Sequence, residues 1–214
     1  MVNVAAMNKA TPAKKFQFVG GELCLDFCNS VGGKRGVIAR EHLHTYADFI
    51  SWCHQAGLLD KRQARAMARK AARRKQAADT ALRRALGLRE AIYRIFLALA
   101  EEQEPQAADL THLNSELAAA LGRLRVAPRS GAPGFAWEWA DGGSALDQPL
   151  GPIARSAAGL LTCGEAVEQV RQCRGDNCGW LFIDASKNHS RRWCDMRDCG
   201  NRAKIRRFRL KRRR

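Results

Sequence analysis

The sequence predicts a mainly α protein. A helical body carrying one small β-hairpin is followed by a compact four-cysteine finger, made of a short β-hairpin and a basic C-terminal helix. Three observations lead there. Apolar residues recur at three- and four-residue spacing through most of the first 165 positions. Between 124 and 139 that pattern gives way to two short β-type runs around Pro128, Gly131, Pro133 and Gly134. Past 170, four of the eight cysteines fall into two close pairs amid a surplus of Lys and Arg. The expected division is a flexible 1–14, a helical domain over 15–165 and the finger over 170–214.

The elements follow in order. Phe16, Phe18, Leu23, Leu25 and Phe27 alternate as in an extended start, broken by Gly20-Gly21, though 23–29 equally suits the opening of a helix. Gly32-Gly33-Lys34-Arg35-Gly36 reads as a loop. A helix is expected over 42–56, with Leu43, Tyr46, Ala47, Ile50 and Cys53 on one side and Gly57 as its C-terminal stop. Asp60 suits the cap of a basic, Ala-rich helix over 61–76. A long amphipathic helix over 79–102 carries Leu82, Leu86, Tyr93, Ile95, Phe96 and Leu99 and stops before Pro105. Further helices are expected over 109–122 and 152–162, with a hairpin of 124–127 and 135–139 between them.

The chain has 214 residues, 37 Lys and Arg against 21 Asp and Glu, and a formal net charge of +16. Fifteen of those bases, set against four Asp, lie between Arg171 and Arg214. Such a local excess points to a polyanionic partner, nucleic acid before an anionic membrane surface. No apolar run reaches the roughly 18 residues that would cross a membrane. No apolar stretch near the start suggests a secretory signal. A cytoplasmic protein is the expectation.

The tail cysteines stand as Cys173-x4-Cys178-x15-Cys194-x4-Cys199. A short gap lets one turn present two thiolates, and a spacer of about 15 residues brings back a second pair to complete a tetrahedron, the pattern of one structural Zn²⁺. Disulfides need an oxidising compartment, and an iron–sulfur cluster would use the same donors. Gly179 and Gly200 are expected to turn the chain and aim N–H groups at the sulfurs, with Gly175 and Asn177 as turn residues. His189 reads as an exposed loop residue. The run 180–183 is β-type, which suggests a hairpin between the cysteine pairs. Trp180 and Trp193 suit either the small core or a base-stacking platform.

After Cys199, residues 201–213 contain neither Pro nor Gly and read as helix. Ile205 and Phe208 fall on one side, where they are expected to pack back onto the metal core. Arg202, Arg206, Arg209 and Arg213 flank them on one side and Lys204, Arg207, Lys211 and Arg214 on the other. A narrow apolar stripe between basic flanks suits a groove with phosphates on both sides. The expected nucleic-acid contacts are Arg191, Arg192, Arg202, Lys204, Arg206, Arg207, Arg209 and Arg213. The face Lys61, Arg62, Arg65, Arg69, Arg73 and Arg74 reads equally as a solvated helix or an extension of that surface.

No GxSxG, phosphate loop or HExxH is present, so no enzyme is expected. Cys24, Cys28 and Cys53 read as buried core thiols, and Asp26 as a local cap or buried acceptor. The tail from Cys178-Gly179-Trp180-Leu181-Phe182-Ile183-Asp184 through Arg191-Arg192-Trp193-Cys194-Asp195-Met196 to Cys199-Gly200-Asn201-Arg202 resembles the CGNR zinc finger family. Phe18-Val19-Gly20-Gly21-Glu22-Leu23-Cys24-Leu25-Asp26-Phe27 and Ser156-Ala157-Ala158-Gly159-Leu160-Leu161 are similar to the ABATE domain that precedes that finger. The resemblance implies a bacterial, stress-induced transcription regulator whose finger binds DNA, with Cys173, Cys178, Cys194 and Cys199 as the zinc ligands. An RNA-binding protein using the same module, or a ligand-binding body that the finger merely tethers, are the alternatives. The finger alone offers few base-reading groups, so a homodimer or the N-terminal domain is expected to supply the rest.

Overall fold

The computed structural model describes residues 15–129, 131–140 and 145–212. The expectation for 1–14, and those for Arg213 and Arg214, lie outside the described residues. The body is helical as expected. Helix α1 (Leu23–Cys28) is short and sunk in the core, burying Cys24, Leu25, Phe27 and Cys28. The helical alternative for this stretch prevails because Asp26 accepts the Gly20 N–H at 2.8 Å and pins the preceding glycine turn over the first turn.

Helix α2 (Tyr46–Gln55) starts later than expected. Glu41 accepts the N–H groups of His42 and Leu43, which holds that stretch extended. Thr45 and Asp48 then form a reciprocal capping box. The helix ends with Gly57 at φ +77°, and the Leu58 N–H reaches back to the Cys53 carbonyl. A second capping box, Asp60 with Gln63, opens α3 (Lys61–Arg73), which buries only Met67. Arg74 breaks the helix, and α4 (Lys75–Ala100) begins at once rather than at Asp79. Ala78 and Ala81 are buried, so the early turns of α4 pack as core.

α4 is the spine of the body. Its buried face, from Leu82 through Leu88 and Ile92 to Phe96, meets Phe27, Phe49 and Trp52, all fully buried. The rings of Phe27 and Trp52 lie 4.9 Å apart. α5 (Ala107–Leu121) and α6 (Leu150–Thr162) complete the bundle, and a single turn, α7 (Gly164–Val167), leads out of it. The expected hairpin forms from β1 (Leu124–Pro128) and β2 (Phe135–Trp139), antiparallel with Val126 opposite Trp137. Trp139 packs against Gly151, where a Cβ would sit 2.3 Å from the ring. Cys24, Cys28 and Cys53 are buried core thiols as expected, and burial pushes Cys24 up to about 12.

The finger's hairpin differs from the expectation. β4 (Leu181–Ile183) pairs with β3 (Val170–Gln172), which precedes Cys173, so the hairpin encloses the first cysteine pair instead of lying between the pairs. The reason is burial: Val170 and Leu181 belong to the core of the body, and a strand drawn from the polar stretch after Asp184 could not fill those places. Buried Asn29 completes the docking. Its amide donates to the Leu181 carbonyl at 2.8 Å, and its carbonyl accepts the Leu181 N–H at 2.9 Å, as a strand neighbour would. The Ile183 N–H donates to the Gly20 carbonyl, and the Trp180 indole to that of Val31.

Candidate metal centre and nucleic-acid interface

Two turns build the metal centre. The first runs from Cys173 to Cys178, where the Cys178 N–H donates to the Gly175 carbonyl. A Cβ on Gly175 would stand 3.1 Å from Cys199 Sγ, so the sequence keeps a glycine where the second pair closes in. The second runs from Cys194 through a wide turn, Met196–Gly200, in which the Gly200 N–H donates to the Asp195 carbonyl five residues back. Asp195 caps that turn through the Arg197 N–H at 2.7 Å.

The four cysteines are buried, and their sulfurs all lie within 4.8 Å of one another. Cys194 Sγ is 3.7 Å from both Cys178 Sγ and Cys199 Sγ. A tetrahedral ion with Zn–S bonds of about 2.3 Å separates its sulfurs by about 3.8 Å. The residues therefore fit a site for one zinc ion, with Cys173, Cys178, Cys194 and Cys199 as ligands. The Gly175 and Cys194 N–H groups point at Cys173 Sγ at 3.4 and 3.3 Å, and Arg202 approaches Cys199 Sγ at 3.1 Å. Hydrogen bonds from the Cys178 and Cys194 thiols, then from those two amides, hold Cys173 far below the ordinary thiol value. The two donor thiols are held above theirs. A bound dication is what ionises all four together, lending folding energy to a segment too small to stand on its own core.

The glycine expectation needs correction. Gly175 supplies an N–H to sulfur, whereas Gly179 serves close approach: a Cβ there would meet the Tyr93 hydroxyl, the Lys34 backbone and the Gly33 carbonyl at 3.2–3.4 Å. His189 is an exposed loop residue, its ring against the Asp184 carbonyl. Trp180 and Trp193 are partly buried against the cysteine cluster.

Helix α8 (Asn201–Lys211) grows directly from the wide turn, so the metal centre fixes its start. It contains no acid and buries no residue. Ile205 and Phe208 do not pack onto the metal core; they are 52% and 60% exposed. The core beneath is packed instead by Phe182, Val19 and the two tryptophans. Lys204, Arg207 and Arg209 are exposed and make no ion pair among the described residues. Arg206 pairs with Asp176, and Arg202 with Asp198. Arg192 is exposed beside Trp193. Arg191 is turned inward: its guanidinium lies over the Phe182 ring and donates to the carbonyls of Ile183, Val19, Trp193 and Cys194. Adjacent positions in the chain suggest a basic doublet at the surface, but four convergent carbonyls fix one of its members as a structural clamp.

The face Lys61, Arg62, Arg65, Arg69, Arg73 and Arg74 is exposed along α3. Among the described residues, no helix is long and apolar enough to cross a membrane. A family model described as "Putative stress-induced transcription regulator", ABATE, matches residues 21–164. The CGNR zinc finger model matches residues 169–212. No curated protein matches the chain.

Proposed function

The chain belongs to the ABATE family and carries a CGNR zinc finger behind that domain, and from this premise we propose that it is a DNA-binding transcription regulator of the bacterial cytoplasm, acting in a stress response. One observation carries the reading. A buried four-cysteine zinc site sets the start of a helix, α8, with six Lys and Arg, no acid and no buried residue. A helix pinned at one end and exposed on every side suits insertion along a duplex, with arms to phosphates on both flanks.

Lys204, Arg207 and Arg209 are the first contacts in this reading, joined by Arg192, and by Arg202 and Arg206 once a phosphate displaces their exposed carboxylates. Arg191 serves as the clamp beneath. Duplex DNA is favoured over single-stranded RNA because Trp180 and Trp193 are engaged in the finger's core and are not free stacking platforms. A body that binds a small ligand is disfavoured by an interior filled with Trp52, Phe27, Phe49 and Phe96. The reading assigns the chain no catalytic step. A second copy is the protein partner, meeting at the β1–β2 hairpin.

Fluorescence anisotropy with a labelled duplex tests this. With about six bases of the finger on phosphates, log K falls against log salt with a slope at least as steep as about −5. A salt-independent affinity, or preference for structured RNA at equal salt, overturns it.

A further inference from the structure

The loop spanning residues 32–40 of the body has a shape that its composition did not announce. Gly32 and Arg40 exchange both backbone hydrogen bonds, at 2.8 and 2.7 Å, and close it at the neck. Within it, the Ile38 N–H donates to the Lys34 carbonyl at 2.9 Å. Gly33 takes φ +81°, and a Cβ there would stand 1.9 Å from the Ile38 carbonyl oxygen, so only glycine permits this closure. Arg35 anchors the loop from inside. Its guanidinium donates to the Cys28 carbonyl and to Glu90, both at 2.8 Å, and lies 3.6 Å from the centre of the Tyr93 ring. The loop is therefore built as a rigid platform.

What the platform displays is unusual. Val37 and Ile38 are 70% and 53% exposed, two branched apolar side chains held in water by an ordered backbone. Lys34 and Arg40 are exposed beside them and make no ion pair among the described residues. The loop also abuts the finger, since Gly179 of the cysteine turn meets the backbones of Lys34 and Gly33. Ile38, Arg40 and Arg202 share a cleft of about 290 Å³ over Cys178, Cys194 and Cys199. Lys34, Arg174 and Arg192, with Glu101 and Asp176, line an adjoining groove of about 740 Å³ that shares Cys178 with that cleft.

We infer that this loop is a second DNA-contacting element, which lays Lys34 and Arg40 on phosphates of the duplex that α8 engages and sets Val37 and Ile38 against its sugars and base edges. The inference rests on the DNA reading above and deepens it. Charge selects the occupant. Ile38 shares its cleft with Arg40 and Arg202, the latter paired with Asp198, and Lys34 stands in the same loop, so the tip suits a polyanion with apolar edges better than a second copy of this basic chain. The physical gain is reach. The finger alone offers one short helix, and the loop adds a rigid element on the same side of the metal centre.

The test uses the full zinc-loaded chain with a labelled duplex, titrated across NaCl concentrations. Lys34→Ala/Arg40→Ala should lower the magnitude of the salt slope by about two, one for each phosphate that no longer meets a cation. Val37→Ser/Ile38→Ser should weaken binding about tenfold with the slope unchanged, because apolar contacts release no counterions. In the unsubstituted protein, duplex should slow hydrogen exchange in residues 34–38. If both loop variants bind as the unsubstituted chain does while Arg207→Ala/Arg209→Ala lowers the slope, the loop is idle and the inference fails alone. Unchanged exchange in the loop of a DNA-bound protein overturns it as well. A chain that binds no duplex at any salt overturns the DNA reading itself, and the loop's role with it.

Discussion

Arg89 shows how a single residue ties the display surface to the body. It is a core arginine, 3% exposed, held by Glu41 at 2.5 Å, by Glu90 at 2.9 Å and by the Ser30 hydroxyl. Glu90 also holds Arg35, so the chain of charge runs from the core to the platform loop. Burial raises the Glu41 carboxyl, but the Arg89 hydrogen bonds and charge, with two backbone N–H groups, more than reverse that and leave it at about 2. The folded value lies below the ordinary 4.5, so Glu41 adds stability that is complete above about pH 4.5 and is lost as pH falls toward 2. Glu41→Gln should cost about 2 kcal/mol at neutral pH, because it weakens a hydrogen-bonded charge pair. It should also flatten the decline in stability between pH 4.5 and 2. Urea unfolding of both proteins across that range checks it. An unchanged pH slope would show that the pair is not coupled to folding.

At the level of elements, the metal centre and the hairpin hold the finger by different means, and zinc removal separates them. β3 and β4 are fixed by the body's core and by Asn29. The cysteine turns touch the body at few points, through Trp180 on the Val31 carbonyl, Arg191 on that of Val19 and the close approach at Gly179, so the ion carries most of their order and that of α8. Chelation should abolish exchange protection in residues 173–180 and 186–212 while Val170 and Leu181 stay protected and most helicity survives. Protection of α8 that persists in chelator would sink the structural role of zinc. The same division explains what the sequence disclosed. Ligand spacing is a local property, so all four cysteines were readable in order, and helices with long apolar periods were readable to within a few residues. The pairing of Leu181 with Asn29 spans 152 positions, and β3 is three residues long, too short for any period. Arg191 looks like its neighbour Arg192 in the chain, and only the carbonyls that converge around it decide its direction. Ile205 and Phe208 gave a correct stripe with the wrong destination, since periodicity reports a face but not what covers it.

For the whole molecule, a formal charge of +16 governs how copies can meet. Facing α8 helices, or facing α3 helices, would bring like charges together and repel. The β1–β2 hairpin differs. Val126, Phe135 and Trp137 are exposed on one face, Val126 directly opposite Trp137 and Phe135 opposite Pro128. On the opposite face Arg125 and Glu138 neutralise each other at 3.1 Å. This exposed aromatic surface carries one nearby cation, Arg155 over the Trp137 ring, far fewer than α3 or α8, so a second basic copy meets less repulsion there and buries apolar area. Such pairing would give one duplex two zinc fingers, supplying the base-reading groups that one α8 lacks. Sedimentation equilibrium should then find a dimer, and Phe135→Ser/Trp137→Ser should shift it to monomer with zinc content and helicity unchanged. DNA affinity should fall in that monomer, while the salt slope per protomer stays the same, because the hairpin touches no phosphate. A double variant that remains dimeric, or an unsubstituted chain that stays monomeric at tens of micromolar, would remove the hairpin from the interface and leave the finger to read DNA as a single copy.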